Sequence, residues 1–121
     1  MYKVFQANIV VDRQRIQELF TELSLYILDY LFQRFGMGTE ADAQNLVAGW
    51  MADLEKFCPP DGGLMVAAVD SVIVGVGCLA SLEPEIGHVR HFYVDPQFRR
   101  RGLGRKILEN LVERSEGMGH K

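Results

Sequence analysis

Cysteine is scarce in this sequence of 121 residues, which contains only Cys58 and Cys78. The two stand far apart, with no CxxC pair and no spacing typical of a metal site. A disulfide scaffold and a cysteine-based metal centre are therefore excluded, although a single bond between these two thiols stays open. We expect reduced, partly buried thiols, no metal cofactor and a cytoplasmic location, because reducing compartments keep cysteines in the thiol form.

Long apolar runs and surplus positive charge are missing too. The apolar runs are too short to span a bilayer, and the N-terminal sequence MYKVFQANIV lacks the core of a signal peptide. A net charge of −3 argues against general binding to nucleic acids. Neither a membrane nor a nucleic acid is therefore expected as a partner. The length predicts one compact domain over residues 1–121.

The common phosphate-binding motifs are also absent. No GxxxxGK[ST] sequence is present, and the glycines do not follow the dinucleotide pattern GxGxxG. One stretch nevertheless suits an anion, HVRHFYVDPQFRRRGLGRKILENLV at residues 88–112. A run of β-forming residues leads through a polar turn and a basic loop into an amphipathic helix.

The start of this helix explains why a phosphate or pyrophosphate is expected there. The first N–H groups of a helix lack intrahelical partners, and the helix dipole adds positive potential. Gly102 and Gly104 have no Cβ, so a ligand can approach the backbone closely. Three consecutive arginines beside them, at residues 99–101, supply positive charge.

This stretch resembles the acyl-CoA-binding motif of the GNAT N-acetyltransferases, [QR]xxGx[GA], which Arg99, Gly102 and Gly104 match. A bare RxxGxG is a weak signal, because short glycine patterns recur by chance. The similarity is more specific over the longer string YVDPxFRRRGLGRxxL, which has a strand before it and a helix after it. The alternative is a glycine turn between strand and helix with solvated arginines.

Periodicity along the chain predicts the order β-α-α-β-β-β-α. The predicted elements are strand 2–11, helix 13–35 capped by Asp12, a second helix over 46–57, strands 64–69 and 72–82 joined by a tight turn at 70–71, strand 86–94 and helix 102–115. Thr39 and Asp42 resemble a capping box before the second helix. Gly75 and Gly77 are expected to mark a bulge or close packing in their strand.

This order is that of the GNAT core, so the resemblance implies an α/β (α+β) fold with a mixed, mostly antiparallel sheet flanked by helices. A GNAT domain normally continues after the helix at 102–115 with a strand, a helix and a last strand. The resemblance therefore implies one acyl-CoA-binding domain over residues 1–121 whose C-terminal strands are missing. We expect the open edge beside strand 86–94 to favour a homodimer.

The reaction implied by the resemblance is transfer of an acetyl group from the cosubstrate acetyl-CoA to a primary amine, and the acceptor stays unidentified. In the family, a backbone N–H of the fourth strand binds the acyl carbonyl, and pantetheine pairs with that strand. By resemblance the cofactor-binding residues are Phe92, Tyr93, Val94, Arg99, Arg100, Arg101, Gly102, Leu103, Gly104 and Arg105. Phe98 and Leu103 are expected to pack more than to touch the cofactor.

A general base is needed because only a neutral amine attacks the acyl group. Some family members place a glutamate eleven residues before the residue that opens the motif, and this count leads to His88. His88 is therefore the candidate base or water-positioning residue, and a surface or hydrogen-bonded histidine is the alternative. Glu83 and Glu85 are weaker candidates. His91 is expected to face opposite to His88, since side chains alternate along a strand.

The aromatic residues of the first two helices are interpreted as core or helix–helix packing: Phe20, Tyr26, Tyr30, Phe32, Trp50 and Phe57. Residues 35–39, between these helices, are candidates for the acceptor site. Two other functions stay open. One is a non-catalytic CoA-binding or protein-interaction module of GNAT type, and the other is a phosphate- or nucleotide-binding regulatory domain outside the family.

Overall fold

The computed structural model describes residues 2–36, 40–58, 62–83, 86–99 and 102–117. Its strands are β1 (Tyr2–Gln6), β2 (Gly62–Val69), β3 (Val72–Glu83) and β4 (Ile86–Val94), and its helices are α1 (Arg13–Phe35), α2 (Glu40–Ala52) and α3 (Leu103–Gly117). Short 3-10 helices follow α2 at Leu54–Phe57 and β4 at Pro96–Phe98. The predicted order of elements is confirmed. Thr39 of the expected capping box lies outside the described residues.

The four strands form one sheet in the order β1-β2-β3-β4, and every pairing among the described residues is antiparallel. The predicted fold class is confirmed. The β2–β3 hairpin turns at Asp70 and Ser71, whose φ angles of 50° and 70° are left-handed. Two left-handed residues in a row give the turn a twist that matches the twist of the flanking strands.

The first strand is shorter than predicted, because a side-chain turn ends it at Gln6. The Asn8 carboxamide oxygen accepts hydrogen bonds from the N–H groups of Val10 and Val11, at 2.9 and 3.1 Å. The Asp12 carboxylate accepts from the Asn8 N–H at 3.0 Å, so it makes no side-chain cap on α1. The predicted strand over 7–11 and the Asp12 side-chain cap are therefore wrong.

Helices cover both faces of the sheet. One core contains residues of α1 and α2 against the sheet, with Ile16, Leu19, Phe20 and Phe57 fully buried. The other contains Leu103, Ile107 and Leu111 of α3 against the opposite face of the sheet. Full burial of one such side chain stabilises the fold by about 1.5–3 kcal/mol. The layers therefore lie in the order helices, sheet, helix.

A bulge interrupts β4 opposite Gly77. The register passes from Val76↔Tyr93 to Cys78↔Arg90, and His91 takes a φ of 52°. A Cβ on Gly77 would stand 2.7 Å from Ile107 Cγ2, so α3 packs directly on the glycine backbone. The close packing expected at the glycines is confirmed for Gly77, and β3 has its own register shift beside Gly75.

The described residues include no group of three or more His, Cys, Asp or Glu side chains that could hold a metal ion. Cys58 and Cys78 are free thiols, so the disulfide that the sequence leaves open is not formed. Burial raises the pKa of both thiols, and Glu55 raises that of Cys58 further. Within the described part of the chain, no helix is both long and apolar enough to cross a membrane.

Candidate functional site

A cavity of about 520 Å³ opens where the end of β4 meets the start of α3 and the middle of α1. Its walls are Leu23, Tyr26, Phe92, Tyr93, Val94, Phe98, Arg99, Gly102, Gly104 and Arg105. The fold thus brings together seven of the ten residues that the resemblance assigns to the cofactor. Leu103 is buried in the core under α3, as expected of a packing residue. Arg100 and Arg101 lie outside the described residues.

The end of β4 turns backbone polar groups toward this cavity. Val94 is paired with Gly75, and the next N–H, that of Asp95, donates to the Val74 carbonyl at 2.8 Å. In an antiparallel ladder this makes Val94 a non-hydrogen-bonded partner, so its own N–H and C=O point away from β3. Phe92 precedes it by two residues and lines the same cavity. The edge of β4 therefore offers peptide groups to a ligand.

The start of α3 forms another side of the cavity. Its first helical bond runs from the Lys106 N–H to the Gly102 carbonyl at 3.0 Å, so the N–H groups of residues 103–105 precede that bond. Gly102 has a left-handed φ of 78°, which turns the chain into the helix. Arg105 is strongly exposed beside these N–H groups, with its Nε 3.4 Å from a Glu109 oxygen. Amides without an intrahelical partner, the helix dipole and an exposed cation suit a phosphate group.

A rigid turn connects these two sides. The Asp95 carboxylate accepts a hydrogen bond from the Gln97 N–H at 2.9 Å, and the Asp95 carbonyl accepts from the Phe98 N–H at 2.8 Å. Pro96 occupies the first position of the 3-10 helix, where its missing N–H costs nothing. The turn therefore fixes the distance between the edge of β4 and the start of α3.

Arg99, which the motif assigns to the cofactor, makes contacts with the protein itself. Its Nε donates to the Val94 carbonyl at 2.9 Å in a partly buried hydrogen bond, while Arg99 as a whole is exposed. Its guanidinium carbon lies 5.4 Å from the centre of the Tyr93 ring and 5.9 Å from that of Tyr26. Both distances are within the range of cation–π attraction. Arg99 thus joins the end of β4 to α1.

Tyr93 also lines the cavity, and it faces Glu22 of α1. Its side chain is buried, and the Glu22 carboxylate of α1 is close enough to act on its hydroxyl. Burial raises the pKa of Tyr93, and the negative charge of Glu22 raises it further, while Arg99 lowers it. Tyr93 is therefore a neutral hydrogen-bond donor at neutral pH.

The two strand histidines lie on the same face of the sheet, which corrects the expectation that they oppose each other. His88 is exposed and is paired with Ala80, which packs against the core under α1 and α2. His91 lies in that same core, with its ring centre 4.5 Å from that of Trp50. The bulge adds a residue between them, so the strict alternation of side chains fails. His88 is not among the residues that line the cavity.

His91 is half-buried, and its ring packs among aromatic side chains. Phe20 and Phe57 contact its ring edge-on, and its Nε2 is buried without a hydrogen-bond partner. Burial lowers the pKa of His91 to about 4; Arg90 and His88 lower it as well, and Asp53 opposes them. Its imidazole is therefore neutral at physiological pH.

The sequence interpretation missed the contribution of α1 to the cavity. Leu23 and Tyr26 line it, and Tyr26 is 61% exposed. Tyr30 and Phe32 are exposed as well, so the prediction of core packing is wrong for these three aromatic residues and confirmed for Phe20 and Phe57. Helical spacing places Tyr26, Tyr30 and Phe32 on one helix without telling which face is covered. Of the candidate acceptor segment 35–39, residues 37–39 lie outside the described residues.

The family model, the sequence relatives and the solved structures described below, which are similar to this chain, are all acetyltransferases. The model of the acetyltransferase (GNAT) family matches residues 20–121. An uncharacterized N-acetyltransferase of Schizosaccharomyces pombe is 26% identical over 117 residues, which are 94% of this chain and 69% of that protein. An IAA acetyltransferase of Azospirillum brasilense is 30% identical over 70 residues, 57% of this chain and 46% of that protein. The chain thus spans about two thirds and about half of the length of these two relatives.

Solved structures share the fold. The crystal structure of the PaiA N-acetyltransferase of Thermoplasma acidophilum, in complex with coenzyme A, matches with a TM-score of 0.69 and 12% identity. The match covers 98% of this chain and 74% of that one. The glucosamine-6-phosphate N-acetyltransferase of Arabidopsis thaliana matches with a TM-score of 0.64 and 20% identity, over 99% of this chain and 78% of that one. At these identities the likeness shows the fold alone.

Proposed function

Because this chain belongs to the GNAT family of acetyltransferases, we propose that it transfers an acetyl group from acetyl-CoA to a primary amine. One observation supports this most directly: the cavity lies between the polar edge of β4 and the amides that open α3. One side suits a flexible amide-containing chain and the other suits a pyrophosphate. We propose residues 1–121 as a single acyl-CoA-binding domain.

The residues present fit acetyl-CoA, which supplies the activated acyl group. The pyrophosphate is assigned to the N–H groups of residues 103–105, with Arg105 as a neighbouring charge. The N–H groups of Phe92 and Val94 are assigned to the pantetheine arm and the acyl carbonyl. A fixed donor at that carbonyl stabilises the negative charge that develops as the amine attacks.

The reaction requires a neutral amine. Its nitrogen attacks the thioester carbon, the carbon–sulfur bond breaks, and the sulfur leaves as a thiolate that takes up a proton. We assign His88 as the base or the residue that positions a water for proton removal. His88 is exposed on β4, four residues before Phe92, so it reaches the amine through solvent and not by direct contact with the cavity.

A second candidate function is a CoA-binding module without turnover. The observation in its favour is that, among the described residues, no histidine lines the cavity. Such a module would keep the affinity for CoA and lack acetyl transfer. The comparisons name an N-acetyltransferase and an IAA acetyltransferase among the relatives, which supports the catalytic proposal for this chain.

We also propose a homodimer formed at the edge of β4 and a cytoplasmic place of action. Among the described strands, β4 has one hydrogen-bonded neighbour, β3. Val89, Phe92, Leu108 and Val112 are exposed apolar residues on the α3 side of this edge. A free strand edge beside apolar side chains favours pairing with another chain. The free thiols of Cys58 and Cys78 agree with a reducing compartment.

Calorimetry and a turnover assay test these proposals together. The protein is titrated with acetyl-CoA, CoA and ATP, and thiol release from acetyl-CoA is followed with a panel of primary amines. Binding of acetyl-CoA and CoA together with amine-dependent thiol release supports the enzyme. Binding without thiol release supports the CoA module. Preferential binding of ATP would exclude both and favour a nucleotide-binding regulatory domain.

A further inference from the structure

We propose that Arg99 is a positioning residue that holds the end of β4 and the α1 wall of the cavity in place, and that it is not a ligand of the pyrophosphate. The proposal rests on the function proposed above and concerns the same cavity. It changes the role that the motif suggests for the arginine that opens it. Its support is the set of contacts that already occupy the Arg99 side chain.

The first contact fixes the peptide group at the end of β4. The Val94 carbonyl points to the open edge of the sheet, because the Asp95 N–H of the same peptide donates to Val74. Arg99 Nε donates to this carbonyl at 2.9 Å. The bond closes a loop of six residues, 94–99, around the rigid turn. The Val94 peptide is therefore held from both sides, by β3 and by Arg99.

The second contact places the guanidinium between two tyrosine rings. It lies 5.4 Å from the Tyr93 ring centre and 5.9 Å from the Tyr26 ring centre. Tyr93 belongs to β4 and Tyr26 to α1, so the guanidinium bridges two elements that are far apart in sequence. Since Tyr26 is largely exposed, this contact is what holds its ring at the wall of the cavity.

A chain of polar contacts extends the bridge along α1. Burial and the Glu22 carboxylate raise the pKa of Tyr93, and a Glu22 oxygen lies 4.0 Å from an Arg15 nitrogen. Arg15 Nε in turn donates to the Ile73 carbonyl at 2.7 Å. Arg15 and Arg99 thus bind α1 to the carbonyls of β3 and β4. Arg15 connects α1 to β3 near the start of the helix, and Arg99 connects α1 to β4 at Tyr26.

Arg105 provides the contrast. Its side chain is 85% exposed, and its ion pair with Glu109 is of the i,i+4 type on the helix surface. Surface pairs of this type are worth only a few tenths of a kcal/mol, so the side chain can turn to a phosphate at little cost. The Arg99 side chain is held instead by a hydrogen bond from Nε and by contacts with two tyrosine rings. The structure assigns the phosphate charge to Arg105 and the positioning role to Arg99.

Two substitutions at Arg99 separate a positioning role from a charge role. Glutamine carries its side-chain nitrogen at the same distance along the chain as arginine Nε, so Arg99→Gln keeps the donor to Val94 and removes the charge. Arg99→Met removes both. Arg105→Met is the comparison at the phosphate side, and Lys3→Gln on β1 is the control for loss of a distant charge.

The activity of each variant is measured with two acetyl donors, acetyl-CoA and acetyl-pantetheine. Acetyl-pantetheine lacks the pyrophosphate and the nucleotide. We expect Arg99→Met to lower kcat/KM by about tenfold with both donors, since a hydrogen bond to a charged group is lost. Arg99→Gln recovers most of the loss with both. Arg105→Met lowers kcat/KM more with acetyl-CoA than with acetyl-pantetheine. If both Arg99 variants lose activity with acetyl-CoA alone, Arg99 is a phosphate ligand and the proposal is wrong.

A ligand-free measurement keeps this test independent of turnover. In 15N-labelled protein, the Asp95 amide shares its peptide group with the Val94 carbonyl. We expect Arg99→Met to shift the Asp95 resonance and those of neighbouring β4 residues, whereas Arg99→Gln leaves them close to wild type. Equal spectra for all variants would overturn the positioning role. A wild-type protein that uses neither donor and does not bind CoA would instead refute the proposed function.

Discussion

Gly104, in the first turn of α3, lies directly against the ring of Phe92 on β4. A Cβ on Gly104 would stand 3.3 Å from Phe92 Cζ and 3.6 Å from Val94 Cγ2. Gly104 leaves room for the close contact between α3 and β4, and its own φ angle is not left-handed. Gly102 differs, since its φ of 78° is left-handed and a Cβ there would meet nothing within 4 Å.

These two glycines give the first prediction. Gly104→Val is expected to abolish CoA binding because its methyl groups push Phe92 and Val94 out of place. Gly102→Val is expected to do the same through the backbone, since a β-branched residue in left-handed conformation costs roughly 1–2 kcal/mol. Titration calorimetry with CoA measures both. Gly49→Ala, at an open position on α2, is the matched control and should bind normally; unchanged affinity in both valine variants would refute the pyrophosphate site.

The second prediction concerns the base. His88→Gln is expected to lower kcat while the affinity for acetyl-CoA stays near wild type, because the residue lies outside the cavity walls. The acidic limb of the pH–rate profile should move, since a base acts only when deprotonated. Steady-state kinetics between pH 6 and 9 provide the measurement. Full activity with an unaltered profile would leave His88 as a surface histidine.

The third prediction follows from the buried ring of His91. Its pKa is lowered to about 4 in the folded protein, below the value of about 6.5 for an unperturbed histidine. Below pH 6.5 the unfolded chain therefore takes up a proton that the folded chain does not, and stability falls as the pH drops toward 4. His91→Phe keeps a ring beside Trp50 and should lose less stability over this range. Melting curves at pH 7.5 and 5 compare the two, and equal losses would contradict the prediction.

The fourth prediction concerns self-association. Leu108→Glu with Val112→Glu should weaken the proposed homodimer, because the charges lie on the apolar strip beside β4. Val72→Glu, at the exposed β2–β3 hairpin, is the control and should associate as the wild type does. Sedimentation at micromolar concentration measures the oligomeric state of the wild type and of both variants. A wild-type monomer that melts sharply and unchanged on dilution would rule out the dimer.

Local patterns determined most of the elements of this fold. The apolar spacing of α1 and the β-forming run of β4 predict both elements with the bounds that the structure has. The glycines of β3 predict close packing in that strand, where α3 approaches. The motif from Arg99 to Gly104 predicts where a cavity opens. Each of these signals depends on neighbouring residues, so a sequence can carry it without knowledge of the fold.

Contacts between distant segments were decided only by the tertiary structure. The bulge turns His91 toward the core under α1 and α2, against the alternation that a regular strand imposes. Tyr26 becomes a wall of the cavity because α1 crosses the end of β4, and no periodicity reveals which turn of a helix does so. The resemblance assigns Arg99 to the cofactor, yet its Nε donates to the Val94 carbonyl and its guanidinium lies beside two tyrosine rings. The sequence determines which polar groups are present. Only the packing of distant segments determines which of these groups already have a partner within the protein.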